Sequence, residues 1–381
     1  MLQHTPPMGW NTWNTFGLLI NEQLILESAK TMIDTGLCEA GYNYIVIDDG
    51  WQLPQRDENG RLVADPEKFP RGIRALADDL HAMGLKLGIY SCAGHLTCGG
   101  YPGSNSYEFE DAETFAEWHI DFLKYDYCYK PQREPGDQLY LRMATALANC
   151  GRDILLSACS WGADDTALWI KSTGAHCWRS TVDINDSWES ICRLAKEQKE
   201  LQKYNGLGCF NDMDMLVVGM NGQGNVGLGG CSYIQYRTHF SLWAFLGSPL
   251  MIGCDIRSMT PETAAILKNR ELIAINQDPA YRQPFSIGGS FNFECGDNAE
   301  SFVWAKLLEN GDFAIGCFNF SDSPRNMYFT LSDLSLARFC GRKLVMTDLW
   351  TGETCETVDA RFMTKVDACD CRVYRAKIVK E

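Results

Sequence analysis

Apolar positions in the first part of the chain follow two alternating rhythms. Short continuous apolar runs at Asn43 to Ile47, Leu85 to Ser91, Phe122 to Cys128, Ile154 to Cys159, Cys177 to Thr181, Phe210 to Met215 and Leu250 to Cys254, with a brief Met8-Gly9-Trp10, have the length of buried strands. Between them apolar residues recur at helical spacing. Ile25, Ala29, Met32 and Ile33 form one such stripe, closed by Gly36 as a C′ glycine, and another begins near Asp186, with Glu189 placed as in a capping box and Trp188, Ile191, Cys192 and Ala195 on one face. Eight strand–helix units over about 250 residues predict a (β/α)8 TIM barrel, a parallel α/β fold whose reactive groups collect at the strand C-termini. After Pro279 the texture changes to short β-like runs divided by Gly, Asp, Asn and Ser, such as Ser301 to Ala305, Asp312 to Gly316 and Cys371 to Tyr374. The pattern therefore predicts a catalytic barrel over 1–280 and a small antiparallel β-sandwich domain over 281–381.

Charge falls where this architecture makes it costly. Carboxylates follow apolar strands at Asp48-Asp49, Asp126, Asp183, Asp212-x-Asp214 and Asp255, and a barrel gathers all of them at one mouth. Alternation along the strand turns Lys124 and Asp126 inward and Tyr125 toward the helices. An ammonium beside Asp126 favours its ionised form, which suits a nucleophile. Asp183, on the loop after Arg179, is the candidate proton donor, for which a raised pKa is expected. Two carboxylates ~5–5.5 Å apart support double displacement with retention. Trp10, Trp13, Trp51, Tyr90 and Trp161 offer flat faces for sugar C–H groups, while Asp48, Asp49, Lys124 and Arg179 can grip hydroxyls. Singly, each of these residues is equally at home as a helix cap or core filler.

Together they carry a resemblance. Pro6-Pro7-Met8-Gly9-Trp10-Asn11-Thr12-Trp13, Ile47-Asp48-Asp49-Gly50-Trp51, Leu123-Lys124-Tyr125-Asp126-Tyr127-Cys128, Trp178-Arg179 with Asp183 to Trp188, and Asn211 to Leu216 occur in the order found in glycoside hydrolase family 27. Tyr236 to Trp243 and Asn276 to Pro279 extend the likeness, so the chain resembles the α-galactosidases and α-N-acetylgalactosaminidases of that family. The resemblance implies Asp126 as nucleophile and Asp183 as acid/base. It places Trp13, Asp48, Asp49, Tyr90, Lys124 and Arg179 on the terminal sugar, adds Asp214 and Met215 from the strand-seven motif, and pairs Cys98 with Cys128 near the site. Cys159-Ser160-Trp161-Gly162-Ala163 stands where animal α-galactosidases have Cys-Glu-Trp and a bulky Leu. Ser160 and Ala163 would open room for an acetamido group, so the reading leans to α-GalNAc over plain α-galactose, although Asp164 departs from the animal GalNAc enzymes.

Composition narrows the alternatives. The 381 residues carry a net charge of −15, which repels phosphate backbones and argues against nucleic acid as a partner. Leu242 to Cys254 is too short to span a bilayer, and no export signal pattern is visible, so a cytoplasmic, non-membrane protein is expected. Seventeen cysteines, an odd number, fit a reducing compartment better than a disulfide framework. No zinc-like spacing accompanies them, and neither metal nor cofactor is expected. The glycines of Gly222-Gln223-Gly224-Asn225-Val226-Gly227 lack the early position and downstream acid of a dinucleotide site and read as a flexible loop over the pocket mouth. No G-x-S-x-G elbow supports serine hydrolase chemistry. A glycan or glycoconjugate ending in α-GalNAc or α-galactose is the expected partner, homo-oligomerisation is left open, and a catalytically inert sugar-binding protein is the rival class.

Overall fold

The computed structural model describes residues 2, 4–291 and 300–381. Eight parallel strands form one sheet: β1 (Met8–Asn11), β2 (Tyr44–Val46), β3 (Lys86–Cys92), β4 (Phe122–Asp126), β5 (Leu155–Cys159), β6 (Cys177–Arg179), β7 (Phe210–Asp212) and β8 (Leu250–Ile252), in the order β7-β6-β5-β4-β3-β2-β1-β8. Closure comes just past β7, where Leu216 takes and gives backbone hydrogen bonds with the β8 edge at Met251 and Gly253. The circle is complete, and the predicted barrel is observed. Crossovers include α1 (Glu22–Asp34), α2 (Gly72–Ala82), α3 (Glu108–Glu117), α4 (Gly136–Asn149), α5 (Trp188–Leu201) and α6 (Tyr233–Leu246), with only single turns between β5 and β6.

Local chemistry sets the helix ends. Asn21 caps α1 by accepting from the Leu24 amide, and the helix buries Leu24, Ile25, Ala29 and Met32, while Ile33, expected on the same stripe, is exposed. The N-cap of α5 is Ser187, accepting from Ser190 N, rather than a box built on Asp186. Asp186 is buried and instead accepts the Gly222 amide at 2.6 Å. Tyr125 faces outward as expected, its ring edge-on to Tyr140 of α4 at 5.7 Å.

The C-terminal part is a sandwich of β9 (Phe285–Ser286), β10 (Gly289–Phe291), β11 (Ser301–Leu307), β12 (Phe313–Asn319), β13 (Arg325–Thr330), β14 (Arg342–Asp348), β15 (Thr354–Glu356), β16 (Arg361–Val366) and β17 (Cys371–Lys380). One sheet runs β10-β13-β16 and the other β15-β14-β17-β12-β11-β9. Their inner faces share a core in which Met327, Phe329 and Phe362 meet Ile315, Leu344, Met346 and Ala376. By packing, the chain divides into 1–230 with 248–264 and 231–247 with 265–381, so α6 groups with the later residues although strand texture begins only near 285. No helix among the described residues is long and apolar enough to cross a membrane.

Candidate active site

The floor of the barrel mouth is built by strand register. Tyr90 pairs with Lys124 and Cys92 with Asp126 across β3 and β4, and Asp126 pairs with Cys159 across β4 and β5, so inward-facing groups stack in layers. The Asp126 carboxylate, 5% exposed, accepts from the Tyr90 hydroxyl at 2.9 Å and from the Tyr127 amide at 2.8 Å. Burial pushes its pKa up to about 6, against the opposing pull of Lys124, Tyr127 and Tyr90. Lys124 Nζ binds Asp48 Oδ2 at 2.8 Å, and the same oxygen accepts from Asn11 Nδ2 at 2.8 Å. Burial alone would depress the ammonium; Asp48 and Asp126 more than reverse it and keep Lys124 charged.

The rim is built differently. Asp183 lies on the loop leaving β6, its side chain 72% exposed, and its Oδ1 accepts from Arg179 Nη2 at 2.7 Å. The same guanidinium nitrogen reaches Asp214 Oδ2 at 3.0 Å. Desolvation raises Asp183, but the charge and hydrogen bond of Arg179 outweigh it, and the carboxyl sits below its ordinary value. The expected raised pKa is therefore on Asp126 and not on Asp183. The reason is that Arg179, which the sequence offered as a sugar-binding group, spends itself on Asp183. Asp214 has a left-handed backbone, φ 81°, uncommon for a residue with a side chain. Its carboxylate repays the strain by accepting from Ile184 N at 2.8 Å and Met215 N at 2.7 Å, which ties the loop bearing Asp183 to the end of β7.

A third wall follows β5. Trp161, Gly162, Asp164 and Asp165 all have positive φ, and the turn is held by side chains: Asp164 Oδ2 accepts from the Tyr127 hydroxyl at 2.8 Å and meets Lys130 Nζ at 2.9 Å. Those two partners hold the Asp164 carboxyl below its usual value. Trp161 stands edge-on to Tyr127 at 6.3 Å, so the clamp sets the position of its indole. On the opposite side, the glycine loop is fastened rather than loose. Asn225 N and Val226 N donate to Thr15 O and Asn14 O, and Asp186 N donates to Val226 O.

These walls surround a pocket lined by Trp13, Asp48, Tyr90, Cys98, Lys124, Asp126, Trp161, Arg179, Asp183, Asp214 and Met215, all named from sequence. Asn14, Cys159, Ile184 and Val226 also line it and were not singled out as site residues; Val226 arrives from the glycine loop expected over the pocket mouth. Several candidates do not line it, Asp212 at the end of β7 among them. Trp10 and Trp51 are fully buried, their indole N–H groups donating to Cys254 O at 2.8 Å and to Tyr90 O at 2.9 Å. Asp49 is fully buried and accepts from Gly50 N at 2.8 Å and Gly99 N at 2.6 Å, so it orients the loop carrying Cys98. Cys128 reaches the site through a disulfide to Cys98, whose sulfur lies 3.6 Å from Asp126 Oδ2. Ser160 is fully buried with its hydroxyl 2.7 Å from that of Thr166, and Ala163 lies in the turn beyond Trp161. Asp255, also expected at the mouth, instead caps the turn Ile256–Ser258 and pairs with Arg257 at 2.9 Å.

A closed parallel barrel with two carboxylates of contrasting environment in one polar, aromatic-walled pocket is the arrangement of a glycoside hydrolase. Residues 5–278 match the family described as alpha galactosidase A, and residues 298–376 match the alpha galactosidase C-terminal beta sandwich domain. The chain is 42% identical to alpha-galactosidase 3 of Arabidopsis thaliana over 98% of its own length and 82% of that protein's. Its fold superimposes on alpha-galactosidase I from Mortierella vinacea with a TM-score of 0.89 at 34% identity, covering 98% of this chain and 97% of the other. The alpha-galactosidase of Saccharomyces cerevisiae with raffinose is similar at a TM-score of 0.88 and 28% identity, over 99% and 98% of the two chains. The chain thus belongs to glycoside hydrolase family 27, with its barrel and its sandwich both accounted for.

Proposed function

We propose that this protein is a retaining exo-α-galactosidase acting on terminal α-galactosides, and not an α-N-acetylgalactosaminidase. The observation that carries the chemistry is that Asp126 and Asp183 open into one pocket that Lys124 and Arg179 also line. Their positions suit different tasks. Asp126, buried at the floor, can meet only the anomeric carbon of a sugar that fills the pocket, and attack there forms a carbon–oxygen ester bond while the glycosidic oxygen leaves. Asp183, exposed at the rim, can meet both the departing oxygen and an incoming water, as an acid/base must in the two half-reactions. A sugar seated against Asp183 also strips water from it, and desolvation is the influence that raises its pKa.

The lean to GalNAc is withdrawn on two grounds. Alpha-galactosidase 3 of Arabidopsis thaliana and alpha-galactosidase I of Mortierella vinacea, at 42% and 34% identity, are α-galactosidases by name, and the Ser160 hydroxyl invoked for the acetamido group is buried against Thr166. Replacing Glu by Ser at 160 therefore adds no donor to the pocket. By analogy with the raffinose-bound yeast structure, α-1,6-galactosides are the substrate class to test first. The test compares kcat/KM for p-nitrophenyl α-galactoside and its α-GalNAc counterpart, with galactose favoured by at least tenfold, and follows the released anomer by proton NMR, with α-galactose appearing before mutarotation. A preference for GalNAc, or initial β-galactose, overturns the reading.

A further inference from the structure

Away from the pocket, α2 and the turn between α3 and β4 bring imidazoles and carboxylates together. Asp78 and His81 lie three positions apart on α2 and so share a face. His119, with φ 61°, follows α3 and turns its ring onto His81, the two stacking at 6.3 Å between centroids. One ligand atom from each of Asp78, His81 and His119 lies within 4.8 Å of the other two. Behind them Asp121 is fixed: its Oδ2 accepts from Leu87 N at 2.9 Å and its Oδ1 from Arg152 at 2.6 Å, while His81 Nε2 lies 2.7 Å from that Oδ2.

We propose that Asp78, His81 and His119 form a surface site for a divalent transition ion of the Zn²⁺ class. Two imidazoles and one carboxylate are a borderline-soft donor set that selects such ions over Mg²⁺ or Ca²⁺. Tetrahedral Zn²⁺, with bonds of ~2.0–2.2 Å, requires the donor atoms to close by about 1 Å, which half-exposed side chains achieve by small torsional changes. A carboxylate behind a ligating histidine fixes its tautomer: Nε2–H directed at Asp121 leaves Nδ1 of His81 as the donor lone pair. His119 at present has Nδ1 2.8 Å from Asp78 Oδ1, and ion binding exchanges that contact for a shared metal. All four residues lie near or before the N-terminal ends of strands, the stabilising side of a barrel, so the bound ion pins α2 to the α3–β4 turn and leaves turnover unchanged.

The test uses chelator-treated whole protein titrated with zinc sulfate by calorimetry and with Co²⁺ by absorption. One equivalent binds in the micromolar range, raises Tm, and gives a Co²⁺ spectrum free of the near-ultraviolet thiolate band that the chain's many cysteines would produce. His81→Ala and His119→Asn each weaken binding at least tenfold, the latter keeping a residue tolerant of left-handed backbone. Asp121→Asn weakens it about 10–100-fold by releasing His81. A thiolate band, unaltered affinity in the His81→Ala/His119→Asn double variant, or no saturation below millimolar zinc overturns the assignment.

Discussion

The floor and the rim of the pocket hold the same residue type in opposite circumstances. Asp126 is 5% exposed and fixed by strand register, a tyrosine hydroxyl and a backbone amide, whereas Asp183 is 72% exposed on its side chain and held by one guanidinium. Burial raises the first and Arg179 lowers the second, although a donor is ordinarily expected to have the higher pKa. On the proposed assignment, position divides the labour better than acidity does. The proposed chemistry needs an ionised Asp126 and a protonated Asp183, so activity tracks the singly protonated state of the two carboxyls whichever of them holds the proton in the free enzyme.

The contrast can be broken most forcefully at the floor. Asp126→Asn should lower kcat by about 10⁴-fold or more on every α-galactoside, since an amide cannot form the sugar ester. The same change should raise stability at neutral pH. A carboxyl whose folded pKa is raised from 3.8 to about 6 makes the native state lose stability as pH climbs through that interval, and removing the charge restores up to ~3 kcal/mol at pH 7 and little at pH 4. Denaturant melts at the two pH values measure the difference; equal effects at both would contradict the burial argument.

At the rim, Asp183→Asn should cost roughly 10²–10⁴-fold in the glycosylation step on substrates with alkoxide leaving groups and far less on activated aryl galactosides. Single-turnover rates across a leaving-group series give the slope, and a flat series argues against proton donation. In the wild-type protein kcat/KM should be bell-shaped, falling about tenfold per unit above pH 6 as the last proton leaves the pair. A plateau extending past pH 8 is incompatible with a shared proton on these two groups. The smallest effect concerns the third wall. Asp164→Ala frees the turn carrying Trp161 and should raise KM roughly three- to tenfold with kcat little changed. Tyr127→Phe, which removes one of the two partners of Asp164, should move KM in the same direction by less.

Much of this was legible before any coordinates. The inward pairing of Lys124 with Asp126 follows from period-two alternation, and of the strand-end carboxylates Asp48, Asp126, Asp183 and Asp214 returned as pocket-lining groups while Asp49, Asp212 and Asp255 did not. What escaped was governed by contacts between distant loops. The burial of Ser160 against Thr166, the commitment of Asp49 to Gly99 N, and the arrival of Val226 through hydrogen bonds to Asn14 leave no periodic trace. Capping was similarly short of local information: Asp186 looks like an N-cap, yet its carboxylate is drawn to the glycine loop and Ser187 takes the helix end. The specificity argument failed for the same reason, because residue size at 160 and 163 says nothing about which way a strained turn directs its side chains.

The central claim is that the buried carboxylate on β4 forms a bond to the sugar. Incubation with an activated 2-deoxy-2-fluoro-α-galactoside, followed by proteolysis and mass mapping, should find one galactosyl ester on the peptide containing Asp126. An adduct on Asp183 or Asp214, or none while the enzyme turns over galactosides normally, would contradict it.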